Sequence, residues 1–212
     1  IVGNHFYDIS SSAVNVGLPQ ENANTSGNKM LKNFIISNNY IHNIGADYGS
    51  AAAISVSYAA NVTSWHNEIF HVPYSGYHIG YGWNTRGANI LKNNDIAYNF
   101  IHDYMGDGIY DGGAIYTLGN SNGDGYNLIH DNYVRNQMNR TGVLYADEGS
   151  TYWKFLHNVV DVSETTKWSG GWSPYWASIS AGTEHIEYSG NYTTTDRYVY
   201  SNQVVFSEDG VT

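Results

Sequence analysis

Three acidic residues stand out for their settings. Asp111 opens the stretch DGGAIYTLG (111–119), ahead of two glycines and an apolar run carrying Tyr116; Asp147 and Glu148 lie in YADEGS (145–150), just after Tyr145. Carboxyl groups brought together in pairs can divide acid–base work, one delivering a proton while the other acts as nucleophile or base. The same residues also punctuate turns, where an acid beside glycine simply bonds corner amides. The surface to which the chain carries them decides between these readings.

Composition narrows the partners. Nine basic residues against 19 acidic ones give a formal charge of −10, which repels phosphate backbones and anionic membrane surfaces, so neither nucleic acid nor membrane is an expected partner. Polyanionic substrates such as pectate or alginate are disfavoured for the same reason. With no cysteine, disulfides, thiolate metal sites and cysteine nucleophiles are excluded, and the compartment is left open. No apolar run reaches the length of a membrane span, and IVGNHFYDIS (1–10) lacks the features of a signal peptide.

The elements that must position the acids follow from a repeat. The phrases GNHFYDI, NNYIHNI, HNEIFHV, YNFIHDY, DNYVRNQ, HNVVDVS and GNYTTTD place Asn4, Asn39, Asn67, Asn99, Asn132, Asn158 and Asn191 at spacings of 35, 28, 32, 33, 26 and 33 residues. A period near 30 marks a solenoid. Short alternating runs such as NFIIS, AISVS, AIYTL and VLYAD between Gly and Asn corners are strands, not helices. The expected fold is therefore all-β, a right-handed parallel β-helix of about seven coils forming one domain over residues 1–212. A propeller needs more chain than this, and a sandwich would show no such repeat. Because the chain opens inside a repeat phrase without a capping segment, it is expected to be part of a longer protein.

In this fold the repeated asparagines should stack at one corner, tolerating left-handed backbone angles and bonding amide to amide. His42, His71 and His102 read as corner residues whose rungs continue in Arg135 and Asp161, which breaks any column of metal ligands. SGGWSPYW departs from the repeat, so 165–177 is expected to be a loop insertion.

Aligning coils by inward apolar residues puts Ile54 and Val56, Tyr77 and Ile79, Ile115 and Thr117, and Leu144 and Ala146 in register. Ser55, His78, Tyr116 and Tyr145 then form one outward column, and Ser57, Gly80, Leu118 and Asp147 the next. Strands are expected at 76–80, 114–118 and 143–147.

The phrases YSGYHIGYGW (74–83), DGGAIYTLG and YADEGSTYWKFLHNVV (145–160), in this order, resemble the right-handed parallel β-helix glycoside hydrolases, whose families include β-xylosidase, xylanase or α-fucosidase, and lacto-N-biosidase activities. The resemblance covers most of residues 1–196. It implies hydrolysis of an oligo- or polysaccharide by paired carboxylates in a secreted or cell-surface protein. Asp111, Asp147 and Glu148 match the acids of its two most specific phrases. Such chemistry needs two carboxyl groups flanking the scissile bond, and Asp111 with Asp147 is the leading pair; Glu148, at a strand end, is the substitute acid. His78, Tyr81, Trp83, Tyr116, Tyr145 and Trp172 are the candidate sugar-binding residues, with Trp153 and Trp176 as further aromatics. No metal site is expected, although Asp107 with Asp111 offers oxygen ligands for calcium.

Geometry sets a condition on the leading pair. If the chain were straight, Asp111 and Asp147 would stand roughly 23 Å apart, far beyond the roughly 5–9.5 Å of working glycosidase pairs. Asp111 reaches Asp147 only if Gly112 and Gly113 turn the chain sharply. The competing functions are a polysaccharide lyase, which would need Arg86, Arg135 or Arg140 or calcium in the groove, and a non-catalytic carbohydrate-binding or tailspike-like β-helix, which would use the aromatics alone.

Overall fold

The computed structural model describes residues 1–17, 31–83, 89–106, 109–121, 123–139, 141–165, 174–200 and 205–206. The described strands form three seven-stranded parallel sheets, and each of the seven coils contributes one strand to each sheet in turn. Sheet I holds β1 (His5–Phe6), β4 (Tyr40–His42), β7 (Glu68–Val72), β10 (Phe100–Tyr104), β13 (Tyr133–Gln137), β16 (Val159–Asp161) and β19 (Tyr192–Thr193). Sheet II holds β2 (Val14–Val16), β5 (Ile54–Val56), β8 (Tyr77–Gly80), β11 (Ile115–Leu118), β14 (Gly142–Ala146), β17 (Tyr175–Ile179) and β20 (Tyr198–Tyr200). Sheet III holds β3 (Lys32–Ser37), β6 (Ala60–Trp65), β9 (Asp95–Ala97), β12 (Asn127–His130), β15 (Thr151–Leu156), β18 (Glu184–Ser189) and β21 (Val205–Phe206). This is a parallel β-helix. Its interior is a continuous apolar column in which Ile41, Ile69, Ile101 and Val134 line up through sheet I and Ile54, Tyr77, Ile115 and Leu144 through sheet II.

The asparagine corner forms as a ladder running the length of the solenoid. Each Nδ2 donates to Oδ1 of the next asparagine, from Asn4 through Asn191, at 2.8–3.0 Å. Each backbone N–H donates to the same acceptor. The ladder asparagines are not themselves left-handed, contrary to the sequence expectation. The residue before each one is: Gly3, Asn38, His66, Tyr98, Asp131, His157 and Gly190 have φ between 51° and 70°. A left-handed residue costs roughly 1–2 kcal/mol when it carries a Cβ; here that cost is offset by the buried amide bonds of the asparagine that follows.

The histidines also divide differently from the expected column. His42, Phe70, His102, Arg135 and Asp161 share one outward column of sheet I, in which Phe70 stacks on His42 and His102 at 4.8 and 4.9 Å. His71 lies one step along, next to last in β7, at the position where Asp8, Asn43, His71, Asp103 and Asn136 all have positive φ. Trp153 and Trp176 are fully buried and pack in the core, so neither offers a face to a sugar. Most of the expected insertion at 165–177 lies outside the described residues, and its last three residues, 175–177, belong to β17.

Candidate functional site

Sheet II pairs Ser55 with His78, His78 with Tyr116, Tyr116 with Tyr145 and Tyr145 with Ser178. Alternation turns these residues outward, because their neighbours Ile54, Ile79, Ile115 and Leu144 fill the core. In the middle coils the outward face is nevertheless covered: Tyr116, Leu118 and Tyr145 form a small apolar cluster of their own, with the two tyrosines 4% and 8% exposed. Their rings meet edge to face at 5.1 Å. What they present to the site is their phenols, not open ring faces.

Each phenol takes one aspartate. Tyr116 donates to Asp147 Oδ2, and Tyr145 donates to Asp111 Oδ1 at 2.9 Å. Two adjacent hydroxyls, one coil apart, thus bring the carboxylates of Asp111 and Asp147 into one group. Asp147 follows β14 directly; its N–H continues the ladder to the Thr117 carbonyl at 2.9 Å, and its own carbonyl accepts the Ser150 N–H at 3.0 Å in the turn over 147–150. It is 5% exposed, whereas Asp111 is open to solvent.

The chain does bend at the DGG phrase, but the left-handed residue is Asp111 itself, with φ 68°. Gly112 and Gly113 have no left-handed angle to adopt; they are needed because other groups press on them. A Cβ on Gly112 would stand 2.4 Å from the Tyr74 ring, and one on Gly113 would stand 2.3 Å from the Gly142 carbonyl oxygen. The glycines therefore allow the loop to lie close against its neighbours, and Asp111 folds back over the strands.

Electrostatics follow from this enclosure. Burial pushes the Tyr74 phenol up to about 12, with the Ser75 hydrogen bond acting against that and the charges of Asp111 and Asp147 adding to it. Burial, reinforced by the Asp147 hydrogen bond and charge, holds Tyr116 far above the ordinary phenol value. Burial does the same for Tyr145, against its Ser180 bond and with help from both aspartates. All three phenols stay protonated and donate. His78 lies one coil before Tyr116, edge-on to it at 5.0 Å. Burial lowers it to about 4, although the Asp147 charge pulls the other way. Its Nε2 is buried and has no hydrogen-bond partner in the protein, an unsatisfied polar atom beside the tyrosine–aspartate group.

The remaining expected site residues are placed less centrally. Glu148 is half-buried in the 147–150 turn, and its carbonyl accepts the Gly119 N–H at 3.1 Å; among the described residues no hydrogen bond joins its carboxylate to the tyrosine–aspartate group. Tyr81 and Trp83 follow β8 and meet edge to face at 5.8 Å. Tyr81 packs against the core, while Trp83 is 58% exposed. Trp172, Asp107, Arg86 and Arg140 lie outside the described residues. Arg135 stands on sheet I, over the Phe100 ring at 5.9 Å. No group of three or more His, Asp or Glu side chains able to hold a metal ion occurs among the described residues.

Sequence reasoning missed Tyr74 and Ser180. Tyr74 donates to the Asp111 carbonyl at 2.7 Å; it begins the YSGYHIGYGW phrase but precedes the strand, so no column included it. Ser180 shares the Tyr145 hydroxyl at 3.3 Å, and extending the Asp147 column by one coil reaches it. A separate groove of about 450 Å³ at the bend between sheets I and II is lined by residues that include Asp8, His71, Asp103 and Met138. It contains none of the tyrosine–aspartate group, and the convergence of ionisable and hydrogen-bonding groups on sheet II is the better guide to chemistry.

No protein-family profile matches the chain, and no curated protein is similar to it. The fold is similar to that of a solved structure described as a glycoside hydrolase, with a TM-score of 0.71 and 25% sequence identity over 90% of this chain. The matched region spans 32% of that protein.

Proposed function

We propose that the outer face of sheet II hydrolyses a glycosidic bond in a neutral or weakly acidic plant or host glycan, met outside the cell or at its surface. The observation that carries this reading is the pairing of Asp111 and Asp147 through the adjacent phenols of Tyr145 and Tyr116. One carboxyl group protonates the leaving oxygen while the other, ionised, attacks the anomeric carbon or activates water. Phenols that remain protonated hold both carboxylates in place without competing for the proton. Trp83 offers an exposed ring at the corner after β8. The likeness to a glycoside hydrolase supports the same reading. The one described arginine expected for a lyase, Arg135, stands on sheet I.

The test is to replace Asp111 and Asp147 singly by Asn, which keeps shape and removes the ionisable group. A panel of neutral aryl glycosides is assayed beside pectate and alginate, with glycan binding measured in parallel. On glycosides with poor leaving groups, turnover should fall by several orders of magnitude in each variant while folding persists. The acid variant should retain much of its rate on activated aryl glycosides, and the nucleophile variant should not. Near-parental rates in both variants would remove the assignment and pass it to Glu148. Unsaturated products from the acidic polymers would favour a lyase, and binding without turnover a non-catalytic module.

A further inference from the structure

The loop carrying Asp111 is fastened to the rest of the molecule at a series of backbone positions. Asn139 Nδ2 donates to the Ile109 carbonyl at 2.9 Å, Tyr74 to the Asp111 carbonyl at 2.7 Å and Thr141 Oγ1 to the Gly112 carbonyl at 2.7 Å. The Gly113 N–H in turn donates to Ser75 Oγ at 3.2 Å. These are side-chain bonds to a loop, additional to the sheet ladders. Two of the donors belong to the bend that follows β13 in the next coil. That bend is itself held from inside: Gln137, fully buried, donates through Nε2 to the carbonyls of Asn139 at 2.9 Å and Thr141 at 2.6 Å.

Such fastening has a specific object. Asp111 holds a left-handed conformation that is unfavourable for a residue with a Cβ, and its side chain is exposed. Its carboxylate is therefore placed by its backbone and by the bond from Tyr145, not by packing. We propose that Gln137, Asn139, Thr141 and Tyr74 together form a positioning device for Asp111, in which Thr141 and Tyr74 set where the carboxylate stands without touching the sugar. This rests on the reading of Asp111 as one of the two catalytic carboxylates. A displacement of about 1 Å at a reacting group lowers a rate about 100-fold, so the loss of one clamp should appear in kcat.

The experiment combines carboxyl carbon NMR of the folded protein, labelled at aspartate Cγ, with kcat and KM on a glycoside with a poor leaving group, whose departing oxygen must be protonated. Asp111→Asn and Asp147→Asn identify the two resonances. Thr141→Val and Tyr74→Phe should each shift or broaden the Asp111 resonance more than that of Asp147. Each should lower kcat about 10- to 100-fold with KM changed by no more than about twofold. Thr141→Ser, which restores the hydroxyl, should recover both signals. Tyr74→Phe lies outside the bend and keeps its ring over Gly112, so it carries the test if Thr141→Val does not fold. An unmoved Asp111 resonance with unchanged kcat, or a loss that Thr141→Ser fails to restore, would overturn the positioning role. Parental turnover by Asp111→Asn would overturn the catalytic reading instead, whatever the clamp variants do to the resonance.

Discussion

Tyr145 and Asp111 lie 34 positions apart, yet the phenol of the first donates to Oδ1 of the second at 2.9 Å. The bond runs backwards along the solenoid, from the fifth coil to a loop of the fourth, and it converts two columns of outward side chains into one cluster. Its counterpart, Tyr116 to Asp147, runs forwards from the fourth coil to the fifth. The two crossing bonds give each aspartate a donor from the coil to which it does not belong.

Removing these donors should have unequal effects. Tyr116→Phe leaves a carboxylate that is 5% exposed without its phenol, and an unsatisfied buried group costs about 1–3 kcal/mol or more. Tyr145→Phe leaves an exposed carboxylate that water can serve, so its stability cost should be smaller. Both variants should lose about 100-fold in kcat through misplacement of the acid. Denaturant unfolding beside steady-state kinetics separates the two effects; equal stability losses would contradict the difference in burial.

His78 should make stability depend on pH in a defined window. In the unfolded chain its imidazole takes a proton near pH 6.5, but in the fold only near pH 4. Between these values the unfolded state binds the additional proton, so stability is fully present above 6.5 and declines as pH falls towards 4. At 1.36 kcal/mol per unit the contribution is about 3 kcal/mol at most. Thermal unfolding of the parent and of His78→Gln from pH 7 to 4 should give a flatter curve for the variant, and parallel curves would refute the assignment.

The asparagine ladder predicts a cost that depends on position. Asn99 accepts from Asn67 N and Nδ2 at 2.9 and 3.0 Å and donates to the Ser64 carbonyl and Asn132 Oδ1 at 3.0 and 2.9 Å. Asn99→Ala strands several buried partners and should destabilise the fold by about 2–4 kcal/mol. Asn4→Ala, at the end of the ladder and partly open, should cost less. Urea midpoints of the two variants decide the matter.

Gly113→Ala should be far more damaging than Gly3→Ala. The new methyl would stand 2.3 Å from the Gly142 carbonyl oxygen and 2.7 Å from that of Val143, both backbone atoms of the next coil, whereas at Gly3 it meets nothing within 4 Å. Gly3→Ala costs only its left-handed backbone, about 1–2 kcal/mol. Gly113→Ala must push the coils apart or displace the Asp111 loop, so a larger fall in melting temperature is expected, together with lost turnover. Near-equal effects would show that the loop accommodates the methyl.

The amino-acid order alone determined the repeat, the parallel strands and the register of sheet II. Each coil repeats the same inward apolar and corner asparagine pattern, so matching Ile115 to Leu144 also placed Tyr116 beside Tyr145 and Asp147 two residues on. Periodicity carries that information because side chains alternate along a strand and coils stack in columns. It carries none about the residues between strands. That Asp111 turns back through its own left-handed backbone, that Gly112 and Gly113 are small because a ring and two carbonyls lie against them, and that Tyr74, Asn139 and Thr141 hold the loop all depend on contacts across coils. Nor does an outward position imply an exposed one: Tyr116 and Tyr145 point away from the core and are still buried. The left-handed residue before each ladder asparagine was equally hidden, since Gly, Asn, His, Tyr and Asp all fill that place. There the backbone angle is imposed by the stacked amides that follow it, and only the assembled coils supply them.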